Sequence, residues 1–335
     1  MHHGEPGIAV NWASKHMKRA LICGVGGQDG AYLAKLLLAK GYEVVGTSRD
    51  ADTTPFTNLE RLGILEHVST VSMRIDDYHS VQSIVSSTKP DEIYNLAGQS
   101  SVGLSFDHPV ETMEGIVCGT MNLLESIRAV ESSIRIFNAG SGECFGEAGQ
   151  IPVTESSPFH PHSPYAVAKT AAHNLVKTYR EAYGMFACTG ILFNHESPLR
   201  SKRFVTKKIV CAAADIFAGQ NTKLQLGNLD VYRDWGWAEE YVEAMWLMLQ
   251  QEAADDYIIA TGKTVSLEYF VEKAFAYFNL NWKDHTEIDA AHFRLSDAQY
   301  ISANPEKANK QLMWRSTVGV EEVINRLCKD ASEAR

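Results

Sequence analysis

The stretch RALICGVGGQDGAYLAKLLLAKGYEVVG, Arg19–Gly46, decides the fold. Arg19–Cys23 is a short apolar run of strand character. Gly24, Gly27 and Gly30 then form a GxxGxxG turn. Ala31–Ala39 carries leucines at helical spacing and stops at Gly41, and Tyr42–Gly46 is a second strand. Strand, glycine turn, helix, strand is the first unit of a doubly wound sheet. Glycine makes the turn tight and lets the backbone approach a pyrophosphate, whose charge meets the helix N-terminus. With 24 glycines some triplets arise by chance, so the placement between strand and helix, not the spacing alone, gives the dinucleotide reading over a plain turn.

The alternation continues outward. Val68–Met73 reads as strand, Ser80–Ser87 as helix, Glu92–Ala97 as strand, Met113–Ala129 as helix and Ile134–Ala139 as strand; Pro164–Tyr183 is helical and Phe186–Leu192 is again a strand. The predicted fold class is therefore α/β: a Rossmann-type doubly wound parallel sheet with a smaller, interleaved α/β substrate-binding lobe. After about Phe193 the rhythm loosens, with a helix at Ala238–Gln251 and a strand at Tyr257–Ala260. The predicted division is a leader over 1–16, a nucleotide-binding domain over 17–192 with a return segment at about 229–252, and a second lobe over 193–228 and 253–330.

The 335 residues suit two domains or one large α/β unit at about 150 residues each. Hydrophobic residues at 45% and charged residues at 21% exclude a disordered or fibrous chain. No apolar run approaches the ~18 residues of a membrane span. Net charge is 31 − 41 = −10, which argues against non-specific binding to nucleic acid or an anionic membrane. The six cysteines have neither metal-type nor disulfide-framework spacing, so a reducing, cytoplasmic setting and no metal are expected.

Four positions carry the expected chemistry. Tyr165 and Lys169 lie at i, i+4 on one helix face, behind Ser163 as N-cap and Pro164 as N1. An ammonium there would lower the phenol pKa and make Tyr165 a base near neutral pH, although a surface helix pair would look the same. Ser141 and Glu143 follow a strand at the carboxyl end of the sheet, where ligands of such sheets sit; extended backbone would point both to one side. Glu143 could otherwise be a turn or capping carboxylate. Arg49 follows the second strand, where a cation favours the 2′-phosphate of NADP; the neighbouring Asp50 keeps NAD as the alternative.

Several longer stretches are more specific than the glycine loop: GQDGAYLAKLLL (Gly27–Leu38), EIYNLAGQSSV (Glu92–Val102), SPYAVAK (Ser163–Lys169), GILFNHESPLR (Gly190–Arg200), FVTKKI (Phe204–Ile209), LGNLD (Leu226–Asp230), RDWG (Arg233–Gly236), YVEAMWLMLQ (Tyr241–Gln250) and FRLSD (Phe293–Asp297). From Met17 to about Lys329 the chain resembles the GDP-mannose 4,6-dehydratases of the extended short-chain dehydrogenase/reductases. The resemblance implies redox-neutral dehydration of a GDP-sugar, most simply GDP-mannose. Tyr165 would take the C4 hydroxyl proton, Lys169 hold the cofactor ribose, Ser141 bond the C4 oxygen and Glu143 remove the C5 proton.

It further implies a bound NADP held by Gly24, Gly27, Gln28, Asp29, Gly30, Arg49 and Asp76, by Leu96, Ala97 and Gln99, and by Leu192, Asn194 and His195, besides Tyr165 and Lys169. The substrate would lie against Ser100, Ser101, Asn194, Val205 and Lys208, with Leu226, Gly227 and Asn228 around the guanosine, Arg233 and Arg294 on the diphosphate and Asp297 on a sugar hydroxyl. The chain departs from the family in having Ser at 141 where Thr is usual, Ser48-Arg49-Asp50 where two arginines are usual, Arg74 where an acidic residue is usual and Tyr232 before Arg233 where a basic residue is common. A GDP-heptose is therefore an alternative substrate, and a GDP-4-keto-sugar reductase or epimerase an alternative activity. A homodimer or homotetramer is implied, in which the helices Met113–Ala129 and Pro164–Tyr183 pack against their mates across a two-fold axis through apolar stripes such as Met121, Leu124 and Ile127 with Ala168, Ala172 and Val176.

Overall fold

The computed structural model describes residues 17–130, 133–289, 291, 293, 296 and 298–334; the expected leader lies outside the described residues. In chain order the strands are β1 (Arg19–Cys23), β2 (Glu43–Ser48), β3 (Ser69–Ser72), β4 (Glu92–Asn95), β5 (Arg135–Ala139), β6 (Ala187–Leu192), β7 (Asn194–Glu196), β8 (Leu224–Leu226), β9 (Tyr232–Trp237), β10 (Tyr257–Ile259), β11 (Thr264–Ser266) and β12 (Thr286–Ile288).

One seven-stranded sheet has the order β10-β6-β5-β4-β1-β2-β3, with every neighbouring pair parallel. Its inner strands are buried because helices cover both faces: β4 is buried at all four positions and β6, ACTGIL, at all six. The helices Gln28–Ala39 and Ala238–Gln250 pack together on one face, around Leu33, Leu37, Met245 and Leu249. The helices Tyr78–Thr88 and Gly119–Ala129 cover the other, with Val81, Val85, Leu123 and Ile127 against Leu21 and Ile93. Gly190 sits under the Phe137 ring, where an added Cβ would come within 2.7 Å of it; only the missing side chain allows that approach.

The Pro164–Tyr183 helix begins and ends where its signals stand. Ser163 Oγ accepts from the Ala166 N–H at 3.1 Å, Pro164 occupies N1, and Gly184 closes the helix in the left-handed region at φ 64°. The helix expected over Met113–Ala129 is not continuous. Pro109–Met113 leads into a π turn at Glu114–Cys118 before Gly119–Ala129. A π turn inserts a residue without breaking the apolar pattern, so periodicity does not reveal it.

The second lobe has its own core. The helices Val205–Phe217, Leu267–Tyr277 and Val320–Glu333 close around Trp235 and Trp237 of β9. The three-stranded sheet β11-β9-β7 and the pair β12-β8 lie in this half. The chain crosses between layers more often than the expected boundaries have it. β9, inside the expected 229–252 return, belongs to the three-stranded sheet, so the return to the large layer starts with Ala238. β10 and the Glu306–Gln311 helix, inside the expected 253–330 lobe, pack in the large layer; β10 is buried at all three positions beside β6. Three apolar residues suffice for an edge strand, too short a run to separate the two layers by composition. Among the described residues no helix is long and apolar enough to cross a membrane.

Candidate active site

A cleft of about 550 Å³ opens between the carboxyl ends of β5 and β6 and the second lobe. Ser141, Glu143, Tyr165, Leu192 and Asn194 line it from the large sheet and its extensions. Ser100 and Ser101 come from the loop after β4. Val205, Lys208, Leu226, Gly227, Asn228 and Arg233 come from the second lobe. The fold thus gathers in one cavity residues spread over more than 130 positions of sequence.

Ser141 and Glu143 do not share an extended segment, contrary to the sequence expectation. Ser141 caps a single 3₁₀ turn over Gly142–Phe145, its Oγ accepting from the Glu143 N–H at 3.3 Å. The turn brings both side chains to the cleft by another route, with Gly142 packed where a Cβ would stand 3.0 Å from the Phe193 ring. Tyr165 is 7% exposed. Burial pushes its phenol well above the ordinary value, and the Ser141 hydroxyl that hydrogen-bonds it works in the opposite direction. The lowering expected from Lys169 is absent. The ammonium is 5.7 Å from the Tyr165 ring centre and donates instead to the Ala139 carbonyl at 2.7 Å. Burial brings Lys169 down to about 8.

Arg233 faces Glu143 in the cleft. Its Nε stands 3.8 Å from Glu143 Oε1, both side chains largely buried, while another of its nitrogens donates to the Tyr232 carbonyl at 2.9 Å. Lys208 donates to the Gln225 carbonyl at 2.7 Å, and both line the cleft. Ser101 caps the Val102–Asp107 helix, and Gln99 is bonded to Ser101 and Thr112. Arg294 and Asp297 lie outside the described residues.

The glycine loop follows β1, two strands from β5 on the side away from β6. Gly24 adopts φ +84°, and a Cβ there would stand 3.0 Å from the Leu96 carbonyl, so the loop rests directly on Leu96 and Ala97. A Cβ on Gly30 would collide with the Gly24 carbonyl and the Val25 backbone. Gly27 is the N-cap of the Gln28–Ala39 helix, and no side chain caps that end. An uncapped helix N-terminus over a glycine turn fits the diphosphate of a dinucleotide. Arg49, at the end of β2, leaves 80% of its side chain exposed and lies 3.2 Å from Glu111. Asp50 accepts the Asp52 and Thr53 N–H groups and is turned into its own loop. Asp76 pairs with Arg74 at 3.0 Å.

β7 divides the two regions. Alternation along its three residues sends Asn194 and Glu196 to the cleft, while His195 turns the other way and meets Asp29 with Nε2 at 3.0 Å. Glu196 is a cleft residue that the sequence reading missed. It is almost fully buried, accepts from the Thr206 hydroxyl at 2.7 Å and pairs with Arg200 at 3.3 Å. The same period-2 rule that applies to Asn194 would have found it.

A family model described as GDP-mannose 4,6 dehydratase matches residues 21–327. GDP-mannose 4,6 dehydratase 1 of Arabidopsis thaliana is 44% identical over 329 residues, covering 95% of this chain and 91% of that protein. The GDP-mannose 4,6-dehydratase of Vibrio cholerae is 38% identical, covering 91% of both. Among solved structures, DesIV, a dTDP-glucose 4,6-dehydratase from Streptomyces venezuelae with NAD and TYD bound, superposes with a TM-score of 0.85 at 22% identity, over 95% of this chain and 98% of that one. RMD from Pseudomonas aeruginosa complexed with NADPH gives 0.78 at 21% identity, over 95% and 100%.

Proposed function

The chain belongs to the GDP-mannose 4,6-dehydratase family, and on that premise we propose that its cleft converts GDP-mannose to GDP-4-keto-6-deoxymannose. The observation that carries the proposal is the convergence of Ser141, Glu143 and Tyr165 with Asn194, Lys208 and Arg233 in one cavity. A bound nicotinamide supplies a place to hold the C4 hydride until it is returned at C6. Acting as the phenolate, which burial disfavours and the Ser141 hydroxyl helps to hold, Tyr165 accepts the C4 hydroxyl proton, and Ser141 then keeps a hydrogen bond on the C4 oxygen. Once C4 is a ketone the C5 hydrogen is acidic. Glu143 removes that proton and delivers it to the C6 hydroxyl, which leaves as water, and the proton that Tyr165 took, exchanged with solvent, balances the one returned to C5. A reductase or epimerase acting only at C4 has no use for a carboxylate at Glu143, and this favours dehydration.

Lys208 and Arg233 bring positive charge to a protein of net charge −10, which a GDP diphosphate needs locally. NADP is the proposed cofactor in preference to NAD: Arg49 is exposed at the end of β2, and Asp50, bonded within its own turn, leaves the ribose position to it. The oligomer is proposed to be two-fold, and of the residues expected at its interface only Met121 is exposed. Leu124, Ile127, Ala168, Ala172 and Val176 are buried inside the chain; Met121, Val167 and Tyr183 are the exposed large apolar residues of those helices. Incubating purified protein with GDP-mannose, without added reduced cofactor, should yield a product lighter by one water. Unchanged GDP-mannose, or turnover only with added NADPH, would refute the assignment.

A further inference from the structure

The pair Asp29–His195 stands outside the cleft and has no part in the steps above. Asp29 lies in the first turn of the Gln28–Ala39 helix, the end that attracts anions. A carboxylate at that position competes with a bound diphosphate unless its charge is balanced. His195 Nδ1 lies 2.7 Å from the Phe193 carbonyl, an oxygen that can only accept, so Nδ1 carries a hydrogen. Nε2 lies 3.0 Å from both Asp29 oxygens, and a lone pair facing that carboxylate would be repelled. Both nitrogens therefore donate, and the ring is an imidazolium.

We infer that Asp29 and His195 form a carboxylate–imidazolium pair that anchors β7 to the glycine loop and keeps the helix N-terminus receptive to the cofactor diphosphate. His195 is a positioning residue here. It acts on the cofactor through Asp29, and the inference rests on the cofactor reading given above. The surrounding bonds hold the same junction: Gln28 donates to the His195 carbonyl at 3.2 Å and to Asp29 at 3.0 Å, and Ser197 donates to Gln28 at 2.8 Å. Four side chains thus join the first helix to the strand from which Asn194 and Glu196 enter the cleft.

The charged and titratable groups facing the pair are few. Tyr241, from the Ala238–Gln250 helix, stacks on the His195 ring with centres 4.4 Å apart and stays neutral, burial holding its phenol far above the ordinary value. Arg200, from the loop after β7, opposes the imidazolium, and Lys169, from the Pro164–Tyr183 helix, interacts with Asp29. Burial works against a charge on His195, but the charge and hydrogen bonds of Asp29 outweigh it and raise its pKa. Burial also opposes ionisation of Asp29, and His195 overcomes that in turn. A raised folded pKa means that the stabilisation is complete below the ordinary value and is lost as pH rises through the folded one.

Two readouts test this. In nitrogen-15 spectra of the cofactor-free protein at about pH 7.5, where a histidine of ordinary pKa near 6.5 is neutral, His195 should carry protons on both nitrogens. It is assigned by loss of its signals in His195→Gln. In Asp29→Asn the ring should become neutral under the same conditions. A neutral His195 in the unaltered protein overturns the inference without touching the proposed function. Calorimetric titration with NADP gives the second readout. Binding to the unaltered protein should weaken about tenfold per unit as His195 loses its proton. Asp29→Asn should flatten that His195 component and leave only the loss due to Lys169. Equal pH dependence in both proteins contradicts the inference, whereas no NADP binding at any pH overturns the cofactor reading itself.

Discussion

Two ion pairs lie on either side of β7, and they are built differently. Asp29 and His195 touch at 3.0 Å with every ring nitrogen engaged, in a junction closed by Gln28, Ser197 and Tyr241. Glu143 and Arg233 stand 3.8 Å apart, in a cleft of about 550 Å³. A tight, fully bonded pair has no charge left for a ligand. A loose pair keeps each partner oriented and able to exchange the other for substrate. On the proposed function, the junction holds the cofactor end of the fold and the cleft is left for the chemistry, although buried charges of both signs occur in each.

The sharpest way to break the comparison is Glu143→Gln. An amide preserves shape and hydrogen bonding but accepts no proton, so water loss should fall by about 10²–10⁴-fold. GDP-mannose affinity, measured by calorimetry, should remain near that of the unaltered protein. Near-normal turnover would move Glu143 from the chemistry to the scaffold. Arg233→Ala comes next. One charge-assisted contact of about 1.5–3 kcal/mol makes the GDP-sugar complex roughly 10- to 150-fold weaker. A diphosphate is unchanged by the reaction, so steady-state kinetics should show KM rising more than kcat falls. A fall confined to kcat would instead mean that Arg233 serves Glu143 alone.

Lys169 sharpens the contrast through pH. Burial has lowered its pKa to about 8, so the charged ammonium is lost as pH rises through that value. The rate should decline on that alkaline limb, and Lys169→Arg, whose guanidinium does not titrate there, should move the limb to higher pH even if the rate is lower throughout. The smallest effect belongs to the scaffold. Ser163→Ala removes the cap of the Pro164–Tyr183 helix and should lower stability by about 1 kcal/mol in denaturant unfolding. A larger loss would show that the cap also sets Tyr165.

The parts of the molecule governed by local chemistry were legible beforehand. β1, its glycine turn and the first helix follow from strand pattern, glycine spacing and leucine periodicity, and Ser163, Pro164 and Gly184 mark both ends of their helix. What escaped depends on distant partners. Nothing near Tyr257 tells that β10 pairs with β6, and nothing near Leu124 or Val176 tells that their own sheet already covers them. Ser141, Tyr165 and Arg233, which the motifs single out, all line the cleft. The Ser141–Glu143 backbone was misread as extended because a 3₁₀ turn has no periodic signature. The i+4 spacing of Lys169 tells of its nearness to Tyr165 but not of the burial and the Ala139 carbonyl that act on its ammonium.

The most direct test of the whole account follows the hydrogens. With GDP-mannose deuterated at C4 and the reaction run in ordinary water, the product should retain the deuterium at C6 and carry a solvent hydrogen at C5. Mass spectrometry and proton NMR of the 6-deoxy product read both positions. Deuterium lost to solvent, or found in released reduced cofactor, would contradict a dehydration in which Tyr165 and Glu143 act on one sugar held in one cleft.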